Sequence, residues 1–425
     1  MTSTGPQTST HHIDPSAIGA PGHMGVDFED RVDFARLRDY RLARARAALE
    51  ASDLGAMLVF DVNNIRYLTG SVIGEWSRDK MTRYALLVRG REPVLWDFGS
   101  AAKHHRLYAS WLPVDNCRAG MVGLRGAVAP EAGLYTRAVQ EIRDLLVEAG
   151  QQDATVGVDI AEPPLILAMQ RAGLKWDDCQ QVMLEARQIK SLDEVLLLNQ
   201  AAAMVDGVYQ RISDALKPGV RENDMVALAN AYLYEMGSDD VEAINAVSGE
   251  RCNPHPHNFT DRIIRPGDTC YFDIIQSYNG YRTCYYRTLN VGSATPAQRD
   301  AYEKAREWID AAIELVKPGT WTDEIARAWP AAPDFGFASE MDAFGLQFGH
   351  GLGLGLHERP IISRLNSIDH PMRIQEGMVF ALETYCPAAD GASAARIEEE
   401  VVVTSEGAKV ITLFPSKELF VANPY

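Results

Sequence analysis

Hydrophobic residues in the first half of the chain follow two different spacings in turn. From about residue 31, "VDFARLRDYRLARARAALEASD" has the spacing of a helix, and the short apolar runs "AMLVF", "RYALLVRG" and "PVLWDF" follow it. Helical spacing returns in "LYTRAVQEIRDLLVEAG" and "PLILAMQRAG", with the strand-like "TVGVDI" between them. Helices that alternate with short apolar strands are typical of an α/β layer. The pattern therefore predicts an N-terminal α/β domain over residues 31–183.

A strong helix start follows this domain. Ser191 and Glu194 have the spacing of a capping box, and a long periodic helix comes directly after them. We therefore predict a second domain over residues 184–425. Residues 1–30 are rich in Ser, Thr, Pro, Gly and His, which predicts an extended N-terminal arm, with a disordered terminus as the alternative.

The second half of the chain contains a weak internal repeat. "ALKPGVRENDMVALANAYL" at 215–233 resembles "LVKPGTWTDEIARAWP" at 315–330, and each copy has a helix, a Pro-Gly stop, a polar cap and a second helix. Helix-stop signals can also resemble each other by chance. A true repeat predicts a duplicated α+β unit with a cleft between its halves.

An Asn-Gly pair at 279–280 separates two β-rich runs, "CYFDIIQSY" and "YRTCYYRTLNV". This pair is a strong hairpin signal, and a two-residue loop fixes the register of the strands. Asp273 then lies opposite Tyr286, and Ile275 lies opposite Cys284. The Asp273 carboxylate and the Cys284 thiol are therefore expected on one face, where an unpaired charge among apolar residues needs a ligand or a hydrogen bond.

Two further strand-like runs carry acidic residues. "GMVFALETY" places Glu383 in an apolar run, and "AARIEEEVVVT" places Arg396, Glu398 and Glu400 on one face by alternation. Alternating charges are also common on an edge strand that faces solvent. Glu398 alone would therefore be weak evidence for a buried site.

Two histidines lie seven positions apart in the glycine-rich "GHGLGLGLHERP". On a regular strand this odd offset would point His350 and His357 to opposite faces, whereas a break that glycine permits could bring them into one pocket. Three acids and a histidine on separate strands have the chemistry of ligands for a divalent metal. The candidate ligands are Asp273, His350, Glu383 and Glu398.

Composition narrows the choice of partner. The formal net charge of −17 disfavours nucleic acids and anionic membranes, which bind through an excess of Lys and Arg. No apolar run of about 18 residues is present, and the first residues lack the pattern of a signal peptide. The six cysteines show no paired close spacing. We therefore expect a cytoplasmic protein with reduced thiols, a small-molecule or short-peptide substrate, and no nucleic-acid or membrane partner.

Four segments, taken in order, resemble the aminopeptidase P, prolidase and creatinase family, which shares the pita-bread fold. The segments are "DRIIRPGDTCYFDIIQSYNGYRTCYYRTLNVG", "FGHGLGLGLHERP", "IQEGMVFALETY" and "RIEEEVVVT". The resemblance covers most of residues 35–420. It implies an α+β protein with an N-terminal α/β creatinase-type domain, a C-terminal pita-bread catalytic domain of duplicated α+β halves, and assembly as a homodimer.

The resemblance also implies a ligand set. Four positions match four of the five metal ligands of the family's peptidases: Asp273, His350, Glu383 and Glu398. At the fifth, a bridging aspartate in those peptidases, this chain has Cys284, whose softer sulfur favours zinc, iron or cobalt over manganese or magnesium. We expect one or two divalent ions (Zn, Fe, Mn or Co), and the metal-free state of creatinase stays open. His255 or His257, together with His357 and Arg396, match groups that line the substrate site.

A second resemblance runs through "FDVNNIRYLTGSVIGEWSRDKMTRYALLV", which is similar to the family's dimethylsulfoniopropionate lyases. In those lyases an aromatic residue at the Trp76 position helps to hold a sulfonium cation. Trp76, Tyr285 and Tyr286 are therefore candidates for cation–π binding of substrate, with core packing as the alternative for Trp76. The lyases' catalytic aspartate, however, falls at or beside His357.

These inferences predict a hydrolase that cleaves the C–N bond of an Xaa-Pro peptide or small amide with metal-activated water. Glu383 would accept the proton of the water, His357 and His257 would donate to the developing oxyanion, and Arg396 would orient Glu398 or an anionic substrate group. The alternatives are a C–S lyase, a metal-free amidinohydrolase and a protein that binds without turnover.

Overall fold

The computed structural model describes residues 32–72, 82–120, 122, 126–254 and 256–425. It contains two compact units, one of Asp33–Arg187 and one that includes Gln188–Tyr425. Three of the sequence predictions fall outside the described residues, namely the arm at 1–30, Trp76 and His255.

The first unit is an α/β layer, as the alternating pattern predicted. Its helices are α1 (Phe34–Ala51), α2 (Val62–Thr69), α3 (Gly99–Tyr108), α4 (Leu134–Glu148), α5 (Pro163–Arg171) and α6 (Gln180–Arg187). Its strands are β1 (Leu54–Val59), β2 (Tyr84–Val88), β3 (Val94–Asp97), β4 (Cys117–Ala119), β5 (Thr155–Val158) and β6 (Trp176–Asp178). They form one mixed sheet in the order β4-β3-β2-β1-β5-β6. Every residue of β1, β2 and β3 is buried, which explains why these strands read as continuous apolar runs.

The second unit contains two sheets. Its helices are α7 (Leu192–Ala215), α8 (Glu222–Glu235), α9 (Pro296–Glu314), α10 (Thr322–Ala326) and α11 (Arg364–Ser367). Its strands are β7 (Asp240–Ser248), β8 (Thr269–Tyr278), β9 (Tyr281–Val291), β10 (Phe348–Gly351), β11 (Glu358–Ile362), β12 (Val379–Pro387), β13 (Ala394–Thr404), β14 (Gly407–Val410) and β15 (Phe420–Ala422). The sheet orders are β15-β9-β8-β7 and β11-β10-β12-β13-β14. The predicted capping box at Ser191 and Glu194 is present at the start of α7.

The internal repeat corresponds to a structural duplication. After α7 and after α9 the chain turns at Gly219 and Gly319, whose φ angles of 97° and 98° favour glycine. Gly219 N–H then donates to Ile264 O, and Gly319 N–H donates in the same way to Ile374 O. Each helix pair is thus tied to the segment that leads into β8 or β12. The prediction of a duplicated α+β unit is confirmed.

The two sheets of the second unit meet along β9 and β13. The Thr288 hydroxyl accepts a hydrogen bond from Arg396 N–H and donates to Arg396 O. Strand β13 lies between β12 and β14 and is buried at every residue. The alternative that its charges face solvent on an edge strand is therefore wrong, because charged side chains from a central strand point into the interior. Among the described residues, no helix is both long and apolar enough to cross a membrane.

Candidate active site

The β8–β9 hairpin has the predicted register. Asp273 lies opposite Tyr286 and Ile275 lies opposite Cys284. Positive φ angles at Asn279 and Gly280 form the tight turn. As expected for diagonal neighbours on one face, Cys284 Sγ is 3.4 Å from Asp273 Oδ1.

The second sheet brings further donors to this hairpin. Glu383 on β12 lies opposite Glu398 on β13, and His350 on the adjacent β10 approaches the same place. His350 Nε2 is 3.6 Å from Glu398 Oε1. Donor atoms of Cys284, His350 and Glu398 all lie within 4.8 Å of one another, and all three residues are buried.

This cluster fits a divalent metal ion. Glu398 Oε1 is buried and has no hydrogen-bond partner among the described residues, which is costly for a carboxylate. A thiol, an imidazole and a carboxylate form a donor set that zinc commonly binds. The Asp273 carboxylate adjoins the cluster, and its Oδ2 accepts a hydrogen bond of 2.9 Å from Asn245 Nδ2. Sequence reasoning missed Asn245, and only the β7–β8 pairing reveals it.

The acids of the site are poorly neutralised. Burial raises the pKa of Asp273 and Glu398, and raises that of Glu383 to about 8. The Arg396 guanidinium opposes these shifts, while the neighbouring carboxylates reinforce them in Glu383 and Glu398. Burial and the adjacent Asp273 also raise the pKa of the Cys284 thiol. A cation among these groups would stabilise their ionised forms.

Arg396 has a partner that the sequence did not indicate. Its guanidinium donates to Glu383 Oε2 and, at 3.2 Å, to Gly345 O. The guanidinium also lies over the Tyr286 ring, 4.1 Å from its centroid. Arg396 therefore orients Glu383, and its role toward Glu398 or an anionic substrate group stays a prediction.

The two histidines of the glycine-rich strip do meet. The register of β10 against β11 shifts after His350, and the His350 and His357 rings end 4.5 Å apart. A Cβ on Gly351 would overlap Arg359 O, and one on Gly353 would lie 2.6 Å from Glu358 Oε2. Glycine is required because another part of the chain occupies that space.

His257 and His357 remain neutral near pH 7. Partial desolvation lowers the pKa of His257, with a further contribution from the Arg396 charge. Partial desolvation and the His350 imidazole lower the pKa of His357 to about 4. The segment that carries His257 is held by the buried Glu222 carboxylate, which accepts from Thr260 N at 2.8 Å. No pattern in the sequence indicated this role of Glu222.

The two tyrosines proposed for substrate binding point in opposite directions, because consecutive strand residues face opposite sides of a sheet. The Tyr285 hydroxyl donates to Asp206 at 2.6 Å, and its ring packs on Tyr209 in the core beside α7. Tyr285 is therefore not brought to the site. Tyr286 is, but its ring lies under the Arg396 guanidinium and is 2% exposed. This contact replaces the cation–π contact that we had predicted with substrate.

A third glutamate of β13 contacts the part of β9 that carries the Cys284 thiol. Glu400 Oε1 accepts from Thr283 Oγ1 at 2.6 Å and from Cys284 N at 2.7 Å. The carboxylate therefore fixes the backbone that carries the Cys284 thiol. The alternation in "RIEEEV" had placed Glu400 on this face but gave no reason for its burial.

Comparison with known proteins identifies both domains of this chain. The profile of metallopeptidase family M24 matches residues 197–405, and that of the creatinase/prolidase N-terminal domain matches residues 41–189. The structure of dipeptidase PepE from Mycobacterium ulcerans superposes with a TM-score of 0.73 and 27% identity, covering 92% of this chain and 99% of that one. The predicted fold, an N-terminal creatinase-type domain before a pita-bread domain, is confirmed.

Two curated relatives match different fractions of this chain. The Xaa-Pro dipeptidase of Pyrococcus furiosus is 32% identical over 237 residues, which are 54% of this chain and 65% of that protein. The dimethylsulfoniopropionate lyase DddP of Roseovarius nubinhibens is 26% identical over 408 residues, which are 90% of this chain and 87% of that protein. The matched part thus spans slightly less than two thirds of the dipeptidase. Because both family profiles match, one over residues 41–189 and the other over residues 197–405, this chain belongs to metallopeptidase family M24.

Proposed function

We propose that this protein is a metal-dependent hydrolase that cleaves a C–N bond, with Xaa-Pro dipeptides as its substrate class. The observation that carries the proposal is the buried Glu398 Oε1, which accepts no hydrogen bond from the described part of the chain and shares a site with the Cys284 thiol and the His350 imidazole. The similarity to an Xaa-Pro dipeptidase supports the substrate class.

The proposed cofactor is one zinc ion held by Cys284, His350 and Glu398, with Asp273 as the next carboxylate. Sulfur favours zinc over manganese, and a thiol in place of a carboxylate removes one oxygen donor that a second ion would need. When bound, a divalent cation would polarise the substrate carbonyl and lower the pKa of water.

Glu383 is the proposed general base. The Arg396 guanidinium holds its Oε2, so the carboxylate has a fixed orientation. In metal-free protein, burial raises the pKa of Glu383 to about 8, so the carboxyl group holds a proton near neutral pH. A bound cation would lower this pKa and leave the carboxylate free to accept a proton from water.

His357 and His257 are the proposed donors to the developing oxyanion. Both imidazoles are neutral near pH 7, because partial desolvation lowers the pKa of each. A neutral imidazole has one N–H to donate, and such a donor stabilises negative charge that forms only in the transition state.

Metal analysis and a dipeptide assay test this function together. The protein is purified without added metal, its metal content is measured by mass spectrometry, and Ala-Pro is supplied as substrate. We expect about one zinc ion per chain and release of free proline. Bound zinc with no cleavage of any Xaa-Pro dipeptide would refute the substrate class. Cleavage by protein that contains no metal would refute the metal mechanism and favour the creatinase-like alternative.

A C–S lyase is the second candidate, because the lyase relative matches 90% of this chain. The Arg396 guanidinium over Tyr286 removes one of the aromatic candidates for a sulfonium substrate. The other remaining candidate, Trp76, lies outside the described residues. The same protein is incubated with dimethylsulfoniopropionate, and the headspace is analysed for dimethyl sulfide. Dimethyl sulfide without proline release from dipeptides would replace the hydrolase proposal.

We also propose that the protein is a cytoplasmic homodimer. All six cysteines are buried free thiols, which suits a reducing compartment. Light scattering during size-exclusion chromatography would give the oligomeric state, and a monomer mass would contradict the dimer.

A further inference from the structure

A buried ion pair lies directly beneath the glycine-rich turn. Lys190 Nζ is 3.0 Å from Glu358 Oε2, and both side chains are almost completely excluded from solvent. Lys190 precedes α7, and Glu358 is the first residue of β11. Neither residue belongs to the proposed metal site.

The Glu358 carboxylate holds the turn as well as the lysine. Its Oε1 accepts a hydrogen bond of 2.8 Å from Gly355 N–H, and Gly353 leaves the space that the carboxylate occupies. Glu358 thus connects the interior of the turn to a fixed cation. Because Glu358 follows His357 directly, an immobile Glu358 also limits where the His357 backbone can lie.

The opposite side of the turn is held by the β8–β9 hairpin. Arg282 N–H donates to Gly353 O at 2.8 Å, and the Arg282 guanidinium donates to Leu354 O. The turn is therefore clamped from two sides, although its glycines alone would leave it many conformations. His357 leaves this clamped turn 4.5 Å from the His350 ring.

We propose that the Lys190–Glu358 pair is a positioning element for His357. Glu358 is the positioning residue, and the Gly355 N–H that it accepts is the contact through which it acts. Lys190 holds the carboxylate in place through the 3.0 Å contact. The inference rests on the proposed role of His357 in the transition state, because a misplaced donor lowers turnover without removing the metal or the cleft.

Two double variants separate positioning from mere stability. Lys190→Met with Glu358→Gln removes both charges but keeps an oxygen for Gly355 N–H. Lys190→Met with Glu358→Leu removes both charges and that oxygen, with little change in volume. The Gln variant is the matched control, because the two proteins differ only in the acceptor for the turn.

We expect the Leu variant to have a kcat ~10-fold to ~10²-fold below that of the Gln variant, with similar KM for Ala-Pro and the same metal content. In a His357→Ala background this difference should disappear, because Glu358 acts through His357. Equal kcat values would overturn the inference, and so would a difference that persists without His357. Glu340→Gln, which breaks a half-exposed pair with Arg364 in the same unit, controls for the loss of an ion pair.

A spectroscopic readout keeps the test independent of the proposed function. The His357 ring resonances, assigned by comparison with His357→Ala, should shift or broaden in the Leu variant and not in the Gln variant. A shift in protein that never cleaves dipeptides would support the positioning role and refute Xaa-Pro dipeptides as the substrate class. Unchanged resonances would overturn the positioning role whatever the activity.

If the Leu variant does not fold, Lys190→Met alone serves as the second test. Hydrogen exchange measured by mass spectrometry should become faster in the peptide over residues 352–356 and stay unchanged in β8 and β12. Unchanged exchange in residues 352–356 would overturn the inference.

Discussion

The two faces of strand β13 carry adjacent glutamates in opposite electrostatic states. On one face, the Glu399 carboxylate accepts from Arg287 at 2.9 Å, from Arg306 at 2.8 Å and from Ser416 at 2.6 Å. Burial alone would raise the pKa of Glu399, but the two guanidiniums outweigh it and hold the pKa below its usual value. This face is a neutralised structural cluster.

On the other face, Glu398 and Glu400 are equally buried but incompletely paired. Each has one carboxylate oxygen without a hydrogen-bond partner among the described residues. Burial raises the pKa of both, and that of Glu400 reaches about 8. The comparison of Glu399 with Glu398 and Glu400 shows that burial of an acid is not enough to identify a functional site. A functional site is indicated instead by a buried acid whose negative charge the surrounding residues do not neutralise.

The change with the largest expected effect lies on the face of β13 that carries Glu398 and Glu400. Glu398→Gln should remove the bound metal and lower kcat by ~10³-fold or more, because the site loses an anionic ligand and the several kcal/mol that a metal supplies. Metal content and Ala-Pro turnover are measured on the same preparation. Full metal occupancy in this variant would contradict the assignment of the ligands.

Glu399→Gln should do the reverse. It leaves the Arg287 guanidinium buried without its carboxylate, and breaking a buried pair costs about 3–5 kcal/mol of unfolding free energy. Urea denaturation measures the loss, while the folded protein should keep its metal. If Glu399→Gln instead released metal at unchanged stability, the distinction between the two faces would fail.

His357→Ala tests the proposed oxyanion donor of the site to which Glu398 belongs. It removes one oxyanion donor, so kcat should fall ~10²–10³-fold while KM changes little. Steady-state kinetics with Ala-Pro give both constants, and metal content serves as the control. A change confined to KM would show that His357 only binds substrate.

The smallest effect is a pH dependence of stability in metal-free protein. The pKa of Glu400 is about 8 in the folded state against an ordinary value of 4.5, so between these values the folded protein binds more protons than the unfolded chain. Its contribution to stability is complete below pH 4.5 and is lost progressively as pH rises toward 8. Urea midpoints from pH 5.5 to 8.5 should therefore fall, and Glu400→Gln should flatten the slope. A wild-type slope that Glu400→Gln leaves unchanged would assign the effect to other groups.

Local patterns were sufficient for much of this protein. The sequence by itself determined the capping box at Ser191, because one side chain and one backbone N–H three residues away define it. It determined the register that joins Asp273 to Cys284, because a two-residue turn leaves the strands one alignment. It also indicated that glycines could bring His350 and His357 together, because only glycine admits such close packing of the backbone.

Tertiary structure decided which of these residues share an environment. Glu399 is neutralised by Arg287 and Arg306, which lie 112 and 93 positions away along the chain. Arg396 contacts Glu383 because β12 and β13 pair. Tyr285 lies outside the site because its side chain packs in the core between β9 and α7. The physical reason is that the pKa of a buried acid depends on burial and on charges within a few ångströms, and distant segments supply both.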